Sequence, residues 1–209
     1  MTEDRKWRIG CFSVALAVIV LAVSVFCYYL NRPAPVYETN DIADYGIVKG
    51  NYDNDMPKEF VSSFFPERIE EYFSDVNYHY KAKKGDTFAY EMYLEFVIED
   101  TVQYTSFISN VIGNEVCEPF YFAPNYQARY VSNNLRLHPS SDENRPLCIE
   151  DAKIGIVLFS EEEHRFIFIA LGMYDGGGAN VEELGYFFNR FGIDPLEFEK
   201  HTIPGYVAQ

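Results

Sequence analysis

The chain has 209 residues and carries 17 Lys plus Arg against 32 Asp plus Glu, a formal charge of −15 at pH 7. Such a surface is repelled by phosphate backbones and anionic headgroups, so nucleic-acid binding is not expected. Aromatic residues make up 17% of the chain, 18 Phe and 17 Tyr among them, which excludes a disordered polar tail and supplies a real core.

The first feature in chain order is GCFSVALAVIVLAVSVFCYYL, Gly10 to Leu30, without a charge. With Ile9 included, a helix rising about 1.5 Å per residue spans roughly 33 Å, enough for a hydrocarbon core of about 30 Å. Trp7 precedes the run and Tyr28 and Tyr29 close it, the placing of headgroup-level anchors. A cleaved signal is the alternative, but Ala22-Val23-Ser24 has its small residues inside the apolar run rather than after it. Residues 9–30 are therefore expected to be a transmembrane helix. Arg5, Lys6 and Arg8 stand before it and only Arg32 closely follows, so residues 1–8 are placed in the cytoplasm and the rest outside the cell membrane. Gly10, Ser13, Ala15, Ala17, Ala22 and Ser24 would permit close helix contact, the basis for an alternative role as accessory subunit of a membrane assembly.

Residues 31–56, with Pro33, Pro35, Gly46 and Gly50 and no apolar period, are expected to be an extended stalk. Asp53, Asn54 and Asp55 offer oxygen ligands there but lack the glycine and final glutamate of a calcium loop. Residues 57–209 are expected to form one domain. It opens with short helical turns carrying Phe60 and Phe64, then Ile69 and Phe73.

Period-two alternation then predicts a hairpin. DVNYHYKA puts Val76, Tyr78, Tyr80 and Ala82 on one face, with Asn77, His79 and Lys81 on the other. TFAYEMYLEFVIE puts Phe88, Tyr90, Met92, Leu94, Phe96 and Ile98 inward against Glu91, Glu95 and Glu99. Asp100 with Gln103 makes a capping signal for a helix striped by Tyr104, Phe107, Ile108, Val111 and Ile112 and stopped at Gly113. CEPFYFAP and ARYVSNNLRLHP allow one or two further strands. AKIGIVLF and RFIFIALGMY then predict a second hairpin around the acidic tip Glu161 to Glu163, its second strand apolar on both faces and so central. Asn180 and Glu183 suggest a cap for a helix with Val181, Leu184, Phe188 and Phe191, ending at Gly192; Asp194, Pro195 and Glu197 begin a last helix. The expected fold class is α+β: two hairpin-then-helix units in one antiparallel sheet of about four to six strands, helices on one face and the opposite face partly wet.

Cys117 and Cys148 are the two thiols of this domain, and an outward-facing pair is a disulfide candidate, with two buried free thiols as the alternative. YDGGGAN matches neither a P-loop nor a dinucleotide fingerprint; Asp175, Glu182 and Glu183 around it are candidates for a cation. His79, His138, His164 and His201 are scattered without metal-ligand spacing. His79 beside Glu91 or Glu95 is an acid–base candidate with no nucleophile next to it, and Ser106 and Ser109 lack an elbow context. No cofactor is expected. The functional expectation is a membrane-anchored, non-catalytic binding module for a protein or envelope component, with an enzyme of unrecognised class using His79 and Glu91/Glu95 as the alternative.

Overall fold

A computed structural model describes residues 18–28, 36–46, 58–83, 88–113, 115–139, 147–174, 179–180 and 185–202. The chain divides into two units, Met1–Ala34 and Pro35–Gln209. In the first, residues 18–28 form helix α1. No helix among the described residues is long and apolar enough to cross a membrane. The expected span of 9–30 exceeds α1 at both ends, and its remaining residues lie outside the described ones.

The second unit is an antiparallel sheet with helices on both faces. Its strands are β1 (Val36–Thr39), β2 (Ser74–Lys83), β3 (Phe88–Val97), β4 (Glu118–Pro119), β5 (Gln127–Pro139), β6 (Leu147–Ser160), β7 (Arg165–Tyr174) and β8 (Ala179–Asn180). Their order is β1-β2-β3-β7-β6-β5-β4, and β8 pairs with β6. The helices are α2 (Lys58–Ser62), α3 (Thr101–Ile112), α4 (Tyr186–Phe191) and α5 (Pro195–Thr202), with a 3-10 turn at Ile42–Asp44. The sheet is therefore wider than the four to six strands expected. One addition is β1, which the sequence placed in the stalk: Val36 pairs with Lys83 and Thr39 with Tyr80, and the following Tyr45 is buried with its O–H donating to the Pro66 carbonyl at 2.5 Å.

The two hairpins form as the alternation requires, and β3 and β7 join them, Tyr93 opposite Ile169 and Phe96 opposite Phe166. On one face lie Tyr78, Tyr80, Tyr90, Met92, Leu94, Phe96, Val157, Phe166 and Phe168, covered by α2, by Phe64 and Phe65 of the turn that follows it, and by α3 with Tyr104 and Ile112. Phe96 is the hub of this layer: Phe73 stacks on it at 3.9 Å and 8°, and Phe107 meets it edge-on at 5.6 Å. Gly155 admits α2, since a Cβ there would lie 2.7 Å from the Phe60 ring. Helix α3 begins as its capping signal demands, the Asp100 side chain accepting from Gln103 N–H at 2.9 Å, and it ends at Gly113, which takes φ 60.

On the opposite face Ile154, Ile156, Leu158, Ile167, Ile169 and Leu171 are covered by Phe187, Phe188 and Phe198 of α4 and α5 and by Phe120 and Tyr126. Helices on one face only, with a wet reverse side, is thus the wrong architecture. The apolar run of β7 already required two covered faces. What concealed the second layer was the row of polar and charged residues on β2 and β3, of which His79, Glu91 and Glu95 are buried rather than wet. The expected cap at Asn180 also fails: Asn180 lies in β8, and α4 starts after Gly185 without a side-chain cap from that residue. Gly192 ends α4 in the left-handed conformation, φ 62.

Candidate functional site

The β2–β3 register sets Asn77 opposite Glu95, His79 opposite Tyr93 and Lys81 opposite Glu91, all on the face beneath α4. His79 and Glu95 are each 4% exposed and Glu91 not at all. Buried charge needs compensation, and each group has found a different one. The Glu91 carboxylate accepts the backbone N–H groups of Tyr186 at 3.0 Å and Phe187 at 2.6 Å, serving as the cap of α4 from a distant strand. Desolvation raises its pKa, against the lowering effect of those two hydrogen bonds.

Glu95 accepts Tyr93 O–H at 2.7 Å, Arg165 Nη1 at 2.6 Å and Arg190 Nη2 at 3.2 Å. Desolvation alone would raise its pKa; the Tyr93 and Arg165 hydrogen bonds and the Arg190 charge outweigh it and hold the carboxyl below the ordinary value. Arg165 also reaches Asp75 at 2.8 Å and Glu163 at 3.2 Å. Asp75 sits at φ 51 in the β2 bulge between Ser74 and Asn77, which turns its carboxylate to that guanidinium. The network ties β2, β3, β7 and α4 together.

His79 stacks on Tyr186 at 4.1 Å and 9° and donates from Nδ1 to Asn40 Oδ1 at 2.7 Å. Desolvation lowers its pKa. No hydrogen bond joins His79 to Glu91 or Glu95 among the described residues, and the two glutamates stand about 13 Å apart along β3. The three residues suggested as an acid–base group share a face, but each is committed to holding α4 or the sheet. Asp175, Glu182 and Glu183, and likewise Asp53, Asn54 and Asp55, lie outside the described residues. Among the described residues no group of three or more His, Cys, Asp or Glu could hold a metal ion.

Cys117 is a free thiol, half-buried, its sulfur 3.9 Å from the Glu115 carbonyl, and burial pushes its pKa up. The suggested bond to Cys148 is precluded by strand register. Glu118 pairs with Ala128, which pairs with Leu158, while Cys148 pairs with His138 at the far end of the same ladder. The separation is roughly 30 Å along the strand, where a disulfide tolerates less than about 7 Å between Cα atoms.

The described cavity lies elsewhere, at the end of the sheet where α3 stops. It is an open groove of about 630 Å3 lined by Ile108, Ser109, Ile112 and Gly113 of α3 and its end, by Glu115 and Cys117, by Asn125 and Gln127, and by Phe159, Glu161 and Glu162 of the β6–β7 tip. Its floor is apolar, Ile112 and Phe159 being buried. Arg129 fixes the near wall with a bidentate grip on Glu115, one arm at 2.6 Å, and a 2.6 Å hydrogen bond to the Val111 carbonyl. Glu163 faces out of the groove, held by Asn125 and Tyr126, each at 3.2 Å. Glu161 and Glu162 are exposed and make no ion pair among the described residues.

Sequence reasoning recognised the acidic tip and the α3 stripe separately. Nothing local joins them, because Ile112 of α3 and Phe159 of β6 share a groove only through the packing of α3 on the β3–β7–β6 part of the sheet. Comparison of the chain with protein-family models, with curated proteins and with solved structures found no match.

Proposed function

We propose that this protein is a non-catalytic binding module, its α+β domain held outside the cell by the apolar segment 9–30 with residues 1–8 in the cytoplasm. The reading of the segment rests on its length, its aromatic ends and the basic residues before it. The reading of the domain rests on one observation: the buried His79, Glu91 and Glu95 are engaged in holding helix and sheet, while the open groove at the end of α3 has an apolar floor and polar rim, the makeup of a recognition site. The partner is a protein or envelope component.

Protease protection on intact cells tests the placement, using an epitope after Gln209. Digestion of the epitope without lysis is expected; protection until the membrane is opened would overturn it. Co-purification of the full chain from detergent tests the binding role, and repeated recovery of the chain alone would count against it.

A further inference from the structure

The groove's lining is uneven in charge. Glu115, Glu161 and Glu162 border it, and among the described residues no Lys, Arg or His does. Glu115 is neutralised by Arg129 outside the lining, which leaves Glu161 and Glu162 as exposed carboxylates with no ion pair among the described residues. The last turn of α3 carries no basic residue of its own, but Arg129 donates to the Val111 carbonyl there, so the net negative charge at the groove comes from Glu161 and Glu162. The electrostatics therefore select a cation. The floor is apolar, with Ile108, Ile112, Cys117 and Phe159 offering a surface for aliphatic carbon. Gln127 and Asn125 stand at the β5 side of the rim, amides suited to a peptide backbone.

We propose that the groove at the end of α3 binds a short peptide segment of a partner protein in which a Lys or Arg, set against Glu161 and Glu162, stands beside an apolar residue packed on Ile112 and Phe159. This occupant follows from charge complementarity and from shape. A long basic side chain can bury its methylene stem on the floor and keep its charged head at the acidic rim, and about 630 Å3 is in the range of sites that enclose a few side chains. The assignment rests on the module reading above and names its partner's chemistry.

The test is an array of random hexapeptides probed with the full-length protein in detergent. Bound sequences are expected to be enriched in Lys or Arg adjacent to Leu, Ile or Phe. The Glu161→Gln/Glu162→Gln double variant is expected to bind a selected peptide about fivefold to tenfold more weakly, and raising the salt should weaken the wild type more than the variant. Both positions are exposed in a turn, so the fold is retained, and circular dichroism checks that. No enrichment, enrichment of neutral or acidic sequences, or an unchanged double variant would overturn the proposal. Spermidine displacing the peptide at equal affinity, with no preference for a neighbouring apolar residue, would reassign the groove to small polyamines. A partner co-purifying equally with the wild type and the double variant would sink the groove assignment and leave the module reading standing; recovery of the chain alone from native membranes would count against that reading whatever the array shows.

Discussion

The backbone N–H of Phe187 donates to Glu91 Oε1 at 2.6 Å, so a strand residue caps a helix that begins more than ninety positions later. Tyr186 N–H completes the pair on the second oxygen at 3.0 Å. Because Glu91 is fully buried, its removal takes the side-chain acceptor from both N–H groups, that of Phe187 being buried. Glu91→Ala is expected to destabilise the domain by about 2–4 kcal/mol, and Glu91→Gln by less, since one amide oxygen still accepts. Urea denaturation of both variants checks this, and equal loss in the two would show that the cap contributes little.

Glu95 makes the fold sensitive to acid in a defined window. Its pKa is lowered in the folded state, so its contribution is complete above the ordinary glutamate value of about 4.3 and fades as pH falls through the lower folded value. The stability gap between wild type and Glu95→Gln should be widest at neutral pH and close on acidification below about pH 4. Denaturation midpoints at pH 7, 5 and 3.5 measure it; a constant gap would exclude the ion network as its source.

His79 acts earlier on the same axis. Burial lowers its pKa, so the unfolded chain binds the proton more readily than the folded one. Stability conferred by the neutral ring is present above about 6.5 and lost as pH falls through the folded value. His79→Gln is expected to flatten the decline between pH 7 and pH 5.5. Imidazole resonances followed by NMR give the folded pKa directly, and a value at or above the ordinary one would refute the assignment.

How much of this was legible depended on the range of the interaction. The alternation in DVNYHYKA and TFAYEMYLEFVIE identified both strands and the inward face, and Asp100 with Gly113 marked the ends of α3, because those signals lie within a few residues of one another. The same alternation misled on the other face. His79, Glu91 and Glu95 read as wet because a charged side chain carries no local mark of a partner, and theirs are Asn40, Tyr186, Phe187, Arg165 and Arg190. The groove was illegible for a related reason: Ile112 and Phe159 come together when α3 packs on the assembled sheet, not through spacing.

Gly172 is a position where a single methyl group should matter. The Tyr90 ring crosses the strand there, and a Cβ would enter the space of its ring atoms. Tyr90 is fully buried and has no room to retreat. Gly172→Ala is expected to cost about 1–3 kcal/mol, and adding Tyr90→Leu should recover part of it. Thermal melts of the single and double variants decide this, non-additivity being the signature of direct contact.

Cys117 is expected to be alkylated by iodoacetamide without prior reduction, slowly at neutral pH because burial raises its thiol pKa. Peptide mass spectrometry reads the modification. Protection that is lifted only by a reductant would contradict the free thiol.

The seam between β3 and β7 sets the order in which this sheet can be assembled. Each hairpin closes over a short loop, but Phe96 meets Phe166 and Glu95 meets Arg165 only after some seventy intervening residues have been gathered. The entropy of that closure is large, and the apolar faces of β7 stay exposed until the seam and the helices over it are in place. Joining the two hairpins is therefore expected to weigh on the folding rate. Until then β7 is a sticky, unpaired edge, and a newly made chain is most vulnerable to aggregation there.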